Sequence, residues 1–188
     1  MKIDFDVDID MADRDKFLKL VKHVPASIKR GDEFDKHNTG VYFQPIPFFP
    51  IEGHSTIDHK EAEELGYFKV DFLNNSVYNE IESEAHLDRL LDKEPMWELF
   101  EHKEIVEKLF HIGNHFDIIK QHPPTSVEQL AMILAMIRPG KRYLVGNSWE
   151  VIEKEVWEKT DDYFFKRSHA IGYAMVILVQ LNLIVEKV

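Results

Sequence analysis

The residues with the most chemistry stand at the start of the chain, in IDFDVDID. Asp4, Asp6, Asp8 and Asp10 alternate there with Ile3, Phe5, Val7 and Ile9. A period of two belongs to a strand with one buried face, so the aspartates share the other face. Residues i and i+2 lie roughly 6.5–7 Å apart along a strand, so the charges repel and each raises its neighbour's pKa. A divalent cation relieves that repulsion. Mg²⁺ takes few carboxylates and completes its shell with water and phosphate oxygens. Two such ions ~3.5–4 Å apart activate an attacking hydroxyl and stabilise a leaving phosphate. The plainer reading is an edge strand with a charged outer face, which discourages pairing between molecules.

A second candidate is Lys69-Val70-Asp71. Phe68, Val70 and Phe72 alternate with Lys69 and Asp71, which places the lysine and the aspartate on one polar face. Paired beside the first strand, Asp71 completes a three-carboxylate cluster and Lys69 is placed to meet a phosphate. Otherwise the two form a surface pair. The remaining candidates favour structure over chemistry. His111 and His115 have the i, i+4 spacing of a helical metal site. No Glu follows His111, however, and Gly113 lies between, so they read as surface or core histidines. Ser168 and His169 are adjacent and cannot face each other as nucleophile and base. Trp97, Trp149 and Trp157, like Met132, Ile133 and Met136, sit among apolar neighbours at helical spacing and read as core.

The elements that must position these groups fall into two parts. In residues 1–74, an alternating strand opens the chain. A helix over Asp13–Lys22 is predicted to end before Pro25, and 26–38 reads as a polar loop. Val41–Phe43 is a short strand, and the prolines at 45, 47 and 50 make the next stretch extended or looped. Gly53 marks a turn and Thr56-Ile57 a strand. His59–Leu65 is a helix closed by Gly66, and Tyr67–Leu73 is a second alternating strand. Residues 75–188 are predicted to be helical near 76–91, 95–111, 126–137, 147–159 and 161–184. Pro95 stands in the first turn of one helix, and Thr125 or Ser126 caps another. The expected fold is therefore α+β, a small mixed sheet followed by a helical lobe, together one compact unit.

Composition sets the limits. With 188 residues and 44% hydrophobic content, the chain can bury a core. The absence of cysteine excludes disulfides, thiolate metal sites and a cysteine nucleophile, and it fits a reducing, cytoplasmic setting. A net charge of -11 argues against a general nucleic-acid coat protein. Ten acids against four bases between Glu80 and Lys108 mark a solvated helical face. No signal peptide is expected. The apolar stretch Ala170–Val185, interrupted by Gln180 and Asn182, reads as a buried helix rather than a membrane span.

Several segments resemble the bacterial replicative DNA polymerase III alpha subunit, the C-family. IDFDVDIDMADRDKFL is similar to its PDFDxDF strand and following charged helix, with Ile3 in place of the usual Pro and Arg14 and Asp15 matching beyond. NTGVYF at 38–43 resembles its HAGGVVI strand. STIDHKEAEELGYFKVDFL at 55–73 resembles its T-Q-x-D-x-K-x-x-E-x-L-G-L-x-K-x-D-F-L stretch, matching at Asp58, Lys60, Glu63, Leu65, Gly66, Lys69, Asp71, Phe72 and Leu73. PPTSVEQLAMILAMIRPG at 123–140 and FFKRSHAIGYAMV at 164–176 are similar to two fingers segments. These matches follow the family's order.

The resemblance implies a nucleotidyltransferase-type palm with Asp4, Asp6 and Asp71 as catalytic aspartates holding two Mg²⁺ ions, with Mn²⁺ as a possible substitute. Asp8 is implied in support. Lys69, Arg138, Lys166, Arg167 and His169 are implied as phosphate, nucleotide or template contacts. DNA primer-template and dNTP are the implied partners. The departures are as specific. The family's Gly-Ser-rich phosphate loop precedes its aspartate strand, whereas this chain begins at that strand. The family's thumb lies between the second and third aspartates, where this chain has only a short connection, and Asn74-Asn75 replaces the usual Gly-Leu. Two readings follow. One is a split or miniature, phage-like polymerase whose phosphate loop and thumb come from a second polypeptide. The other is a catalytically inactive replication-associated module that binds nucleic acid or protein.

Overall fold

Residues 7–160 and 164–187 are described in the structure, a computed structural model. Strand β1 (Val7–Met11) forms where the alternating motif predicts a strand. The expected in-and-out burial is not kept: Val7 and Met11 pack against the core, Ile9 is exposed at 40%, and Asp10 on the other face is partly buried. Helix α1 (Arg14–Leu18) begins at Asp13, whose side chain accepts the Lys16 N–H at 2.9 Å. It is shorter than the pattern of apolar residues suggests. The chain then enters β2 (Val24–Arg30) and β3 (Glu33–Tyr42), where the sequence reading expects a helix end and a polar loop. This corrects that expectation, and the physical reasons are visible. Pro25 lies in an edge strand, where its missing N–H leaves no ladder bond unmade. Arg30 pairs with Glu33 across Gly31-Asp32, and Gly31 takes the positive φ of 64° that a tight hairpin turn requires.

Thr56-Ile57 forms no strand, although Ser55 and Asp58 make isolated bridges on either side. Helix α2 (His59–Glu64) is capped by Asp58 and stops before Gly66 at φ 87°. Strand β4 (Val70–Asn74) completes a four-stranded mixed sheet in the order β1-β4-β3-β2. β4 runs parallel to β1 and antiparallel to β3. Each face has its own small core. Leu18 and Phe17 of α1 pack with Val41, Val70 and Phe72. Ala62 of α2 packs with Ala26, Tyr42 and Ile46. Neighbours Val41 and Tyr42 thus point to opposite faces, as strand geometry demands. The architecture is α+β, a mixed sheet followed by helices.

The chain divides into two compact units, Met1–Glu80 and Ile81–Val188. The second contains α3 (Glu84–Asp92), α4 (Lys103–Val106), α5 (Phe116–Gln121), α6 (Val127–Met136), α7 (Trp149–Glu155) and α8 (Arg167–Glu186). A 3₁₀ helix at Pro139–Leu144 follows the α6 stop. The helices predicted near 76–91 and 95–111 are broken into 3₁₀ and α pieces, and α5 was not foreseen. α6 is buried from Leu130 to Met136, and it packs with α8 in one continuous apolar core.

By length and mean hydropathy, 1.7 over eighteen residues, α8 could cross a membrane, yet half of that window is buried within the protein. Its two polar interruptions have structural uses. Gln180 accepts the Phe110 N–H and donates to the Lys108 carbonyl, both at 2.8 Å. Buried Asn182 donates to the carbonyls of Leu90 and Lys93 at 2.9 and 2.8 Å, satisfying the C-terminal end of α3.

Candidate functional site

The pairing of β1 with β4 sets the geometry. Val7 lies opposite Val70 and Asp8 opposite Asp71, so the two aspartates occupy the same level of adjacent strands and the same sheet face. The adjacency posed as a condition by the sequence is therefore met, through Asp8. Asp4 and Asp6 lie outside the described residues. Asp8 is exposed, whereas Asp71 is buried at 8% exposure.

Asp71 is held from several sides. Thr39 Oγ1 donates to its Oδ1 at 2.6 Å, and Lys69 Nζ is bonded to its Oδ2. Thr39 reaches it because β3 is irregular there. Opposite β2 the register jumps between Pro25 and Ser27, leaving residues 37–40 looped out of the ladder. His37 closes this bulge, its Nδ1 accepting the N–H groups of Thr39 at 3.2 Å and Gly40 at 2.9 Å. Those bonds need an unprotonated Nδ1. Burial, with Lys69, His59 and Arg14 nearby, pushes the imidazole down to about 4 and keeps it neutral. The 3.8 Å approach of His37 to Asp71 is accordingly not an ion pair at neutral pH.

Gly40, directly opposite Asp71, has a steric reason to be glycine. A Cβ there would lie 2.7 Å from Lys69 Cδ and 3.2 Å from Asp71 Oδ1. Arg14, almost wholly buried, donates to the Thr39 carbonyl at 3.4 Å, and its own N–H is fixed by Asn74 Oδ1 at 2.8 Å. Asn75 donates to Asp10 Oδ2 at 3.3 Å, and its backbone N–H bonds the Met11 carbonyl. Burial raises the Asp10 carboxyl despite that bond. Asp58 belongs to the scaffold. Burial alone would raise it, but the N–H groups of Lys29 and Lys60 hold it below the usual carboxylate range.

Sequence reasoning therefore missed Thr39, His37, Gly40 and the two asparagines as the groups that shape the site. The Asn-Thr-Gly triplet after a histidine is the signal that could have drawn attention. Asn74-Asn75, counted as a departure from the family pattern, ties β4 to β1 and α1.

No family model matches this chain, and no curated protein does. The geometry and the motifs carry the functional reading.

In the helical unit, two of the four predicted contacts converge. The Arg138 guanidinium lies 4.6 Å over the Phe165 ring, and His169 stacks on the same ring at 6.0 Å and 13°. Arg167 instead faces Trp157 at 5.9 Å, and Lys166 is exposed at the start of α8. His111 and His115 share no helix. His111 has a positive φ of 61°, and His115 precedes α5. Burial, with Arg138 beside both and Arg142 beside His115, lowers both imidazoles. His122 accepts the Gly146 N–H at 2.9 Å and packs edge-on to Trp149. All three tryptophans pack against the core, as the sequence suggests.

Among the described residues, no three His, Asp or Glu side chains converge as a metal-binding group. Within that limit the donor chemistry fits a cation. Asp71 already binds one, the Lys69 ammonium, whose stem lies in the space left by the missing side chain of Gly40.

Proposed function

We propose that the chain is a DNA polymerase III alpha-like protein whose sheet carries a two-metal nucleotidyl-transfer centre, built to work with a second polypeptide. The observation that carries this reading is the parallel register of β1 and β4. It sets Val7–Met11, the described part of the opening strand, beside β4, with Asp8 level with Asp71 and Lys69 bonded to Asp71. In this reading Asp4, Asp6 and Asp71 hold two Mg²⁺ ions, or Mn²⁺ in their place. When bound, such ions lower the pKa of an attacking hydroxyl and neutralise charge on a transferred phosphoryl group. The chain's own residues supply orientation. Thr39 fixes one oxygen of Asp71, the His37-closed bulge fixes Thr39, and Asp8 adds negative charge at the same level. Arg138 and His169, gathered on Phe165, are candidates for a nucleotide or template strand, with Lys166 and Arg167 beside them in sequence. Primer-template DNA and dNTP are the proposed ligands.

The alternative is a catalytically inactive replication-associated module. One observation favours it: Thr39 and Lys69 already engage both oxygens of Asp71. Two measurements separate the readings. Under the polymerase reading, Mg²⁺ or Mn²⁺ raises the melting temperature of the chain, and Asp4→Asn with Asp71→Asn removes that gain. A melting curve indifferent to divalent ions rejects a metal centre in the chain. Primer extension, with and without a partner bearing the phosphate loop, then tests activity.

A further inference from the structure

Asp71 is the residue on which the proposed function turns, and each of its oxygens has an occupant. Thr39 Oγ1 donates to Oδ1 at 2.6 Å, and Lys69 Nζ is seated on Oδ2. The seat is built into the fold. Lys69 stands just before β4 and two positions ahead of Asp71, and its stem crosses Gly40. A Cβ on Gly40 would stand 2.7 and 3.0 Å from Lys69 Cδ and Cγ. The pair is largely shielded, at 21% and 11% side-chain exposure, so water screens it poorly.

We infer that Lys69 is a resident counterion of the carboxylate centre, occupying the position on Asp71 Oδ2 that a divalent cation would take. The Lys69–Asp71 pair and the bound cation then exclude one another. This rests on the two-metal reading above. An ammonium and a metal ion on the same shielded carboxylate oxygen repel, so the lysine must leave as the ion arrives. A phosphate group is the anion suited to receive it, since its oxygens accept Lys N–H bonds while others ligate the metal. A phosphate that draws Lys69 away strengthens cation binding, and by linkage the cation strengthens phosphate binding by the same factor. The centre is thereby set to take a cation and a phosphate together rather than a cation alone.

The test is a Mn²⁺ titration of the full chain, with free ion followed by electron paramagnetic resonance. The forms compared are wild type, Lys69→Met, Lys69→Arg, Asp71→Asn, and Lys69→Met combined with Asp71→Asn. Methionine keeps the stem and removes the charge, with Lys69→Gln as a second charge-free form if that variant folds poorly by circular dichroism. Lys69→Met should bind Mn²⁺ roughly tenfold more tightly than wild type, the order by which one neighbouring charge shifts a carboxylate's proton affinity. Lys69→Arg should stay near wild type, and Asp71→Asn should cancel the gain. A lysine that merely supports the fold would give the opposite sign, because its loss would loosen the site. Equal or weaker binding by both charge-free forms, with Asp71→Asn still weakening wild type, overturns the counterion role and leaves the metal centre standing. Mn²⁺ binding indifferent to Asp71 in every form overturns both.

Discussion

The two units solve the problem of holding a chain in place by different means. The helical unit relies on apolar packing. α6 and α8 bring Leu130, Ile133, Leu134, Ile177 and Leu181 into one core, and polar side chains enter it at few points. The sheet unit has two small cores on opposite faces, and its centre is polar. There the conformation of β3 is set by His37, Thr39 and Gly40 around Asp71, more than by buried area. The contrast teaches where specificity resides. Packing tolerates exchange among apolar residues of similar volume. A buried polar network does not tolerate exchange, because each lost partner leaves another group unsatisfied.

Four experiments break or sharpen this contrast. The largest effect is expected in the helical core. Ile133→Ala, at a fully buried position, should cost about 3–4 kcal/mol in urea unfolding. Next comes acid. His37 takes up its proton near pH 6.5 when unfolded but only near 4 when folded. Its contribution is therefore complete above 6.5 and is lost as pH falls toward 4. The loss should be roughly 2 kcal/mol after allowance for solvent screening. Unfolding measured at pH 7, 5.5 and 4.5 should show it, and His37→Gln should flatten that part of the curve.

Asn182→Leu is smaller. It removes the partners of the Leu90 and Lys93 carbonyls, but it also removes a buried Oδ1 that has no hydrogen-bond partner. A net loss of about 1–2 kcal/mol in the same assay is expected. Smallest is Lys103→Ala, which breaks an exposed pair with Glu107 at 3.6 Å. Its effect should stay within about 0.5 kcal/mol. A larger effect there would mean that surface charge contributes to the helical unit in a way its packing does not suggest.

Legibility in the sequence followed the same divide. Alternation marked β1 and β4, and Gly66 marked the end of α2, because each depends on local chemistry alone. α6 and α8 announced themselves through sustained apolar content. The β2–β3 hairpin was missed because its distal strands are charged on both sides. The usable signal was not hydrophobic but the Gly31-Asp32 pair between Arg30 and Glu33. Of the candidate site, spacing placed Asp8 on one strand face and Lys69 with Asp71 on another, and their proposed roles came from the family resemblance. The supporting groups were not legible, since a register jump, a histidine closing a bulge and a threonine reaching across strands have no periodic signature. The carboxylates at 4 and 6 lie outside the described residues, so the register of β1 with β4 bears on the opening motif only from Val7 onward.

Gln180 and Asn182 of α8 also set an order of events during synthesis. Backbone groups at Phe110 and Lys108 wait for Gln180, across 70 and 72 residues, and those at Leu90 and Lys93 wait for Asn182, across 92 and 89. Contacts spanning so much chain form late, because loop-closure entropy must be met before they contribute. The β2–β3 hairpin can close once Tyr42 has emerged from the ribosome. The segment from α3 to α6, by contrast, emerges with the apolar surface that meets α8 uncovered, and it stays so until α8 is made. Nascent chains arrested before Gln180 should therefore be cut readily by protease within the helical unit, and chains carried clear of the ribosome by an added C-terminal linker should resist.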